Sequence, residues 1–434
     1  MPGPLSGLRV VDFSRVLAGP HCAQTLLDLG AEVIKVEPPS GDLTRQAFPH
    51  EGEISGYYAQ QNAGKRNLSI DLNVPGSREI ALRLCDHADV IVENLRPGTL
   101  PAFGLGYDDV ATRNPGVVYA SISGYGQHGA WASRAAYAPT VQAETGITAI
   151  TAAQFGTPNT ELHTDSLSHA DVYSGLHAAI AILAALHQRD RTGEGQYIDV
   201  AMAAVMLSIN ERVHADLSGQ DLGAEPPILG ATDCAFFTGP DGNRFVSPMS
   251  LVGSTSFPLY LATMRRPDLA DDPRFRTPES RLQNIEALHT IVQEWIWNFD
   301  DMASLNAQFD EAKIPTGHVG TVAELADSPW AEQSSATRTV PDRNGGHITV
   351  PGVPWHFSPD NNHDTAPRTP AYRGEHNEQV LRELGHTNDE IETLWKRGAL
   401  IQGDTTPAAE TPPAPEATGA EPATTGTERQ PRRR

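Results

Sequence analysis

The chain has few cysteines, few lysines and no long hydrophobic run. Its 434 residues include three cysteines, Cys22, Cys85 and Cys234, whose spacing fits neither a metal site nor a disulfide framework. The longest apolar run, Ala178–Leu186, is far shorter than the roughly 20 residues that span a bilayer. The N-terminus also lacks the basic and apolar regions of a signal peptide. Together these absences predict a cytoplasmic protein without a membrane partner.

Positive charge is scarce as well. The chain carries 32 lysines and arginines against 54 aspartates and glutamates, which gives a net charge of −22. Such a charge repels polyanions, so we expect no nucleic-acid partner. A ligand that carries phosphate groups would need a local cluster of cations.

The first strand–loop–helix unit lacks the G-x-G-x-x-G turn that binds the diphosphate of dinucleotides. Its segment Asp12–Pro20 has a proline where the third glycine would stand. The first strand–loop–helix is compatible with a nucleotide-binding Rossmann unit of an oxidoreductase, but the missing glycine turn speaks against that alternative. The absorbance of a bound cofactor would reveal such an enzyme.

Short apolar strands alternate with helices through the first half of the chain. This order predicts an α/β fold with a Rossmann-like parallel sheet covered by helices on both faces. Ligands of such sheets bind beyond the carboxyl ends of the strands, so we expect the loops Ser14–Pro20 and Asn94–Gly98 to border a site. The predicted strands are Leu8–Phe13, Val33–Val36, Leu68–Asp71, Val90–Glu93, Val117–Ile122 and Gln196–Val200. The predicted helices are His21–Leu29, Ser77–His87, Met202–Leu217, Thr277–Phe299, Asn377–Leu384 and Asp389–Lys396.

Changes in composition predict two domains, a linker and a tail. A smaller α+β domain is expected to be inserted into the large one, and the tail, rich in Thr, Pro, Ala and Glu, is expected to be disordered. The predicted segments are 1–217 (large domain, N-terminal part), 218–230 (linker), 231–329 (small domain), 330–402 (return to the large domain) and 403–434 (tail).

One long apolar helix follows Asp171 and ends before Gly193. Leu176, Ile180 and Leu183 recur at helical spacing and are expected to form its buried face, which Ile182 and Leu186 widen. Asp171 itself has two interpretations. Aspartate is a common helix cap, and spacing alone favours that role. A carboxylate is also ionised at neutral pH, so it can attack an activated acyl group without a general base.

Seven short motifs follow one another along the chain. They are Val11–Pro20, Leu27–Pro38, Asn62–Arg66, Val92–Gly98, Ser123–Gly126, His169–Asp171 and Arg191–Gln196. Each is weak alone, but the ordered set resembles the class III coenzyme A transferases, the CaiB/BaiF family. The resemblance covers roughly residues 5 to 400 and includes Gly374–Asn377.

This resemblance implies a CoA transferase, which moves CoA from an acyl-CoA thioester to a carboxylic acid. Asp171 matches the family's catalytic aspartate, which carries the acyl group and then CoA as covalent intermediates. Acyl-CoA and a carboxylic acid are the implied substrates, and no tightly bound cofactor or metal is expected. The N–H groups at the helix end are expected to stabilise the tetrahedral oxyanion. Family members form interlocked homodimers, and the resemblance implies the same here.

The resemblance also implies which residues line the CoA site. Without it, Val16, Leu17 and Leu72 would be taken for core residues. For Arg45 and Arg134, two further candidate cations, a solvated surface charge is the simpler interpretation. The implied and candidate CoA-binding residues are Val16, Leu17, Ala18, Lys65, Arg66, Leu72, Asn94, Leu95, Arg96 and Tyr137.

Departures from the family pattern bear on specificity. Pro38 and the segment Pro101–Phe103 stand where formyl-CoA transferase-like or other members carry a basic residue, and Ser247–Ser250 lacks their glycine run. These differences speak against oxalate or formate as substrates. In the related α-methylacyl-CoA racemases a histidine acts as a second acid–base group, but Tyr137 stands at that position. A phenol of pKa near 10 is a poor base at neutral pH, which favours transfer over racemisation. A CoA-binding relative without this chemistry is the remaining alternative.

Overall fold

A computed structural model of the protein describes residues 3–154, 161–211, 213–219, 235–358 and 368–403. Most of the predicted linker and nearly all of the predicted tail lie outside the described residues.

A six-stranded parallel sheet forms the centre of the large region and confirms the predicted α/β fold. Its strands are β1 (Arg9–Asp12), β2 (Glu32–Glu37), β5 (Arg66–Ser69), β6 (Val90–Glu93), β7 (Val118–Ser123) and β8 (Gln196–Ala201). Their order across the sheet is β5-β2-β1-β6-β7-β8. The order reverses between β1 and β6, which makes that junction the topological switch point of the sheet.

Helices cover both faces of this sheet. On each face, one hydrophobic cluster is formed by side chains of the strands and of the helices that pack on them. The helices are α1 (Ala18–Asp28), α2 (Gly56–Asn62), α3 (Ser77–Asp86), α4 (Thr99–Ala102), α5 (Tyr107–Arg113), α6 (Ala138–Glu144), α7 (Ile147–Gln154), α8 (His169–Thr192), α9 (Met202–Ile209) and α10 (Val213–Ser218). Between β2 and α2 the short strands β3 (His50–Glu51) and β4 (Ile54–Ser55) pair with each other.

Helix α1 begins three residues earlier than the sequence predicts. The loop after β1 ends at Leu17, and Ala18, Gly19 and Pro20 already belong to the first helical turn. Proline is tolerated in that turn because the first N–H groups of a helix have no acceptor within it.

Helix α8 is buried along only part of the predicted face: Ile182 and Leu186 are buried as predicted. Ile180 is 62% exposed, whereas the buried positions are mostly small side chains such as Ala178 and Ala179. A β-carbon on Gly175 would lie only 2.5 Å from the carbonyl oxygen of Ala18 in α1. The two helices therefore approach so closely that only glycine fits at this contact, and the hydrophobic spacing was wrong for Ile180.

By length and composition, α8 is the one described helix that could cross a membrane. Buried core helices pass the same criterion, and the side chains of Ala170 and Ile182 lie in the first hydrophobic cluster.

A separate hydrophobic cluster lies in residues 235–314. The predicted hairpin is present as β9 (Ala235–Thr238) and β10 (Arg244–Ser247), which pair antiparallel, and β11 (Gly317–His318) adds a third strand. The helix predicted over Thr277–Phe299 is two helices that meet at Asn284. The helices here are α11 (Phe257–Met264), α12 (Pro278–Gln283), α13 (Ile285–Ile296), α14 (Met302–Glu311), α15 (Val322–Ala326) and α16 (Pro329–Ser334).

The last described segments contact the large sheet. The hairpin of β12 (Thr337–Pro341) and β13 (His347–Pro351) packs against α2. Helices α17 (Asn377–Glu383) and α18 (Asn388–Lys396) cover β5 through the second cluster. The boundaries of the two domains stay a prediction.

Candidate active site

A cleft opens at the switch point of the sheet, where the loops after β1 and β6 meet. We call it the switch-point cleft. Both predicted loops contribute to it, together with the carboxyl end of β7, the segment before α6 and the first turn of α8. Its lining residues are Arg15, Val16, Ala18, Leu43, Asn94, Leu95, Arg96, Pro97, Ile122, Ser123, Gly124, Ala132, Arg134, Ala135, Ala136, Tyr137, Asp171 and Met202.

Asp171 lies in the first turn of α8, but it is not the helix cap. Ser168 occupies the cap position, three residues before Asp171. The Asp171 carboxylate is half-buried, and within the described part of the chain it has neither a hydrogen-bond partner nor a counter-ion. Burial raises the pKa of Asp171 to about 6. It is thus an ionised group at neutral pH that water and protein stabilise only weakly.

The N–H groups at the start of α8 already have acceptors. Ala170 donates its N–H to the side-chain oxygen of Gln142 at 3.3 Å, and Asp171 and Val172 donate theirs to the carbonyl oxygen of Ser168 at 3.1 Å. The expectation that these groups form an oxyanion hole is therefore wrong for those three amides. Because they do not bind the carboxylate either, they do not lower its pKa.

Tyr57, on α2, lies near Asp171 and was missed in the sequence. Burial, together with the negative charges of Asp171 and Asp42, raises the pKa of Tyr57 to about 12. Its hydroxyl therefore keeps its proton at neutral pH. The predicted elements left this part of the chain without a helix, so no periodic pattern marked Tyr57.

Three arginines supply positive charge to the cleft. Arg15 follows β1 and Arg96 follows β6, and neither guanidinium has a partner among the residues that the structure describes. Arg134 is paired with Glu144 and lies over the rings of Tyr125 and Trp131. Arg15 was not singled out in the sequence, although it lies inside a loop that was.

Lys65 does not reach the cleft, contrary to the sequence prediction. Its ammonium group is buried, where it donates to Asp12 at 2.9 Å, to the carbonyl oxygen of Pro20 at 2.9 Å and to Asn62 at 3.0 Å. Burial lowers the pKa of Lys65 to about 8, against the opposing effect of Asp12. The partners satisfy all three donors of the lysine, so none is left for a phosphate group.

Arg66 lies at the amino end of β5, whereas the cleft lies at the carboxyl ends of the strands. It pairs with Glu32 and, at 2.7 Å, with Glu383. The motif Asn62–Arg66 indicated Arg66 as a CoA-binding residue. However, β5 runs from Arg66 to Ser69, so Ser69 and not Arg66 lies at the carboxyl end of the strand. Arg66 is therefore also outside the cleft.

The remaining predicted residues divide between the cleft and the core. Val16, Ala18, Asn94, Leu95, Arg96 and Tyr137 line the cleft, and Tyr137 is 63% exposed. Leu17 is buried and Leu72 packs on the second cluster, so neither lines the cleft. Arg45 binds Glu37 at 2.9 Å and lies over the ring of Tyr58, away from the cleft. Among the side chains that the structure describes, no cluster of His, Cys, Asp or Glu is arranged to hold a metal ion.

Known proteins are similar to this chain over most of its length. The profile described as CoA-transferase family III matches residues 5–377. The chain is 32% identical to a succinyl-CoA–D-citramalate CoA-transferase of Chloroflexus aurantiacus, over 92% of this chain and 98% of that protein. It is 34% identical to a succinyl-CoA:mesaconate CoA-transferase of Haloarcula hispanica, over 88% of this chain and 97% of that one.

A solved structure shares the fold. The crystal structure of a CaiB/BaiF family protein from Brucella suis superposes with a TM-score of 0.72 at 31% sequence identity. The match covers 88% of this chain and all of that one, so the likeness extends well beyond the sheet.

Proposed function

The chain belongs to CoA-transferase family III, and we propose that it moves CoA from an acyl-CoA thioester to a carboxylic acid through covalent intermediates on Asp171. The observation that carries this proposal is the half-buried carboxylate of Asp171, which has no counter-ion within the described chain and lies in a cleft lined by three arginines. Weak stabilisation of its charge favours attack on a thioester carbonyl carbon.

Each step exchanges one bond at an acyl carbon. A carboxylate oxygen of Asp171 attacks the donor thioester, the C–S bond breaks, and a mixed anhydride and CoA thiolate result. The thiolate attacks the Asp171 carbonyl carbon of the anhydride, which releases the donor acid and leaves an aspartyl-CoA thioester. The acceptor carboxylate then expels the thiolate to form a second anhydride. Attack of the thiolate on the acceptor carbonyl yields the new acyl-CoA and frees Asp171.

The cleft supports this sequence with separate groups for the phosphates and for the reacting carbons. Arg15 and Arg96 are positioned to hold phosphate groups, because they lie at the mouth of the cleft without other partners among the described residues. Two curated relatives use succinyl-CoA with a dicarboxylic acid, so we propose dicarboxylates as the first acids to test. Tyr137 supports transfer rather than racemisation, since it stands in the cleft where the related racemases have a histidine.

Mass spectrometry tests the covalent step. The protein is incubated with a panel of acyl-CoAs that includes succinyl-CoA, trapped with hydroxylamine or borohydride, and mapped by peptide. We expect a donor-dependent modification on Asp171 that Asp171→Ala abolishes. Asp165→Ala is the matched control, because Asp165 pairs with His169 at 3.0 Å outside the cleft.

Two other results would contradict the proposal. Exchange of an α-proton of the acyl group into deuterated water, without an adduct, would indicate a racemase. CoA binding with neither adduct nor exchange across the panel would indicate a CoA-binding relative without this chemistry.

We propose further that the chain acts as a homodimer in the cytoplasm. Family resemblance supports this, and so does the apolar face of α8 that includes Ile180 and Tyr173, which are exposed in the single chain. Light scattering after gel filtration tests it, and a monomer of 46.7 kDa would contradict it.

A further inference from the structure

Val16 has a backbone conformation that a branched side chain rarely adopts. Its φ angle is 66°, in the left-handed region. For a β-branched residue this region brings the side chain against its own backbone, so the surrounding structure must hold it there. Val16 lines the switch-point cleft, and α1 begins two residues later. The strained turn thus lies between the cleft and the helix that packs on α8.

Asp42 holds this turn from below. Both of its carboxylate oxygens accept the N–H of Val16, at 3.3 and 3.2 Å. The side chain is only 2% exposed and is fixed in turn by the ammonium group of Lys35 at 3.0 Å and by the N–H of Thr44 at 3.0 Å. A buried carboxylate with this many partners has little freedom to follow a moving loop.

The two residues before Val16 are fixed in the same manner. Asn94 accepts the N–H of Arg15 at 2.8 Å and donates its amide to the carbonyl oxygen of Arg15 at 2.9 Å. Lys35 donates to the carbonyl oxygen of Ser14 at 2.9 Å. Three consecutive residues of the loop are therefore held by side chains that follow or belong to neighbouring strands.

We propose that Asp42 is a positioning residue for CoA binding: it holds Val16 in the left-handed conformation and thereby fixes Arg15 and Val16 at the cleft. The inference rests on the proposed function, because it takes CoA as the ligand of the cleft. Asp42 does not line the cleft, so its effect passes through the backbone of Val16.

Calorimetric titration with free CoA tests the inference. In Asp42→Asn one acceptor oxygen is lost and the charge beside Lys35 is removed, so we expect CoA affinity to fall about tenfold. Asp42→Glu keeps the charge but adds a methylene group that displaces the carboxylate from its position beside Val16, and we expect a similar fall. Asp342→Asn is the matched control, since Asp342 accepts the N–H groups of Asn344 and Gly346 at 2.8 Å outside the cleft.

A double-mutant cycle separates positioning from stability. Glycine adopts the left-handed conformation without a clamp. We therefore expect Asp42→Asn to weaken CoA binding by less than about threefold when it is combined with Val16→Gly. A loss of the same size in both backgrounds would overturn the inference, as would an Asp42→Asn affinity equal to that of Asp342→Asn.

Failure of this inference is distinct from failure of the proposed transfer. Wild-type protein that binds CoA but forms no adduct on Asp171 would overturn the transfer and leave the role of Asp42 standing. Unchanged CoA affinity in both Asp42 variants, with an adduct in the wild type, would overturn the role of Asp42 and leave the transfer standing. Wild-type protein that binds no CoA would overturn both.

Discussion

The carboxyl edge of the large sheet carries two layers of charged side chains, and they differ in their partners. In the lower layer, which we call the ionic network, Asp12, Lys35, Asp42 and Lys65 are buried and paired with one another. In the cleft above it, Arg15 and Arg96 have no partner among the described residues, and Asp171 has no counter-ion there. Acidic and basic side chains thus serve two purposes at the carboxyl ends of the strands.

The difference teaches where to look for function in a strongly acidic chain. Buried charges that satisfy each other are costly to separate, and they hold the backbone in place. Charged side chains that line a cleft and have no partner in the protein can form their ion pairs and hydrogen bonds with a ligand. The count of charges near the site is therefore less informative than whether each one is already paired.

The largest effect is expected at Asp171. Asp171→Asn keeps the size of the side chain but removes the nucleophile, so kcat should fall by about a thousandfold or more. The same change should stabilise the protein at pH 8 by about 2 kcal/mol, because burial disfavours the carboxylate charge in the folded state. Steady-state kinetics and thermal melting measure the two effects. Loss of both activity and stability would show that Asp171 belongs with the paired charges instead.

The ionic network should respond in the opposite way. Lys65→Met leaves Asp12 with Lys35, at 4.0 Å, as its one cation among the described residues, and should lower the free energy of unfolding by about 3 kcal/mol. Arg66→Met breaks more exposed pairs, with Glu32 and Glu383, and should cost less than about 1 kcal/mol. Urea denaturation measures both, and equal losses would erase the distinction between buried and exposed pairs.

A smaller effect is expected for the cations of the cleft. Arg96→Ala should raise the KM for acyl-CoA about tenfold, because one charge-assisted contact to a phosphate group is lost. High salt should narrow the difference between this variant and the wild type. Arg83→Ala is the control, since Arg83 pairs with Glu79 at 3.6 Å on α3. A KM change of similar size in both variants would argue against phosphate binding at Arg96.

The effect of pH is small above pH 7 and grows only in acid. Asp171 must be ionised to attack, and its pKa is raised to about 6, so kcat/KM should be nearly constant above pH 7 and fall tenfold per pH unit well below 6. Because the folded protein binds this proton more tightly than the unfolded chain, the contribution of Asp171 to stability falls as the pH rises from about 4 to about 6. The Asp42 carboxylate does not contribute to the pH profile in this range. Burial raises its pKa, but Lys35 and Thr44 lower it to about 2. A profile that falls only below pH 4 would place Asp171 in a solvated environment.

Much of the sheet was predictable because its signals are local. Val90–Glu93 is a short apolar run between polar residues, and its predicted and observed limits agree. The parallel order then predicts that the loops after β1 and β6 adjoin a site, and the structure brings both to one cleft. The start of α8 brings Asp171 to the same place.

Features that depend on distant partners were not predictable. The sequence indicates Lys65 as a ligand-binding cation, because nothing near it in the chain reveals its ion pair with Asp12, 53 residues earlier. The apolar spacing of α8 predicts the burial of Ile182 and Leu186 but not the exposure of Ile180, because the small residues that contact α1 give no such signal. Tyr57 lies on a helix without a periodic signal, and only the fold brings it near Asp171.

The contact at Gly175 limits how this protein can acquire new specificities. Any side chain there would collide with the backbone of α1, so neither helix can shift along the other without separating. In the proposed reaction, the helix that carries Asp171 is therefore a fixed reference for the attacking carboxylate. Under that proposal, adaptation to acids of different length has to proceed through the loops that border the cleft, whose residues can be exchanged without moving Asp171.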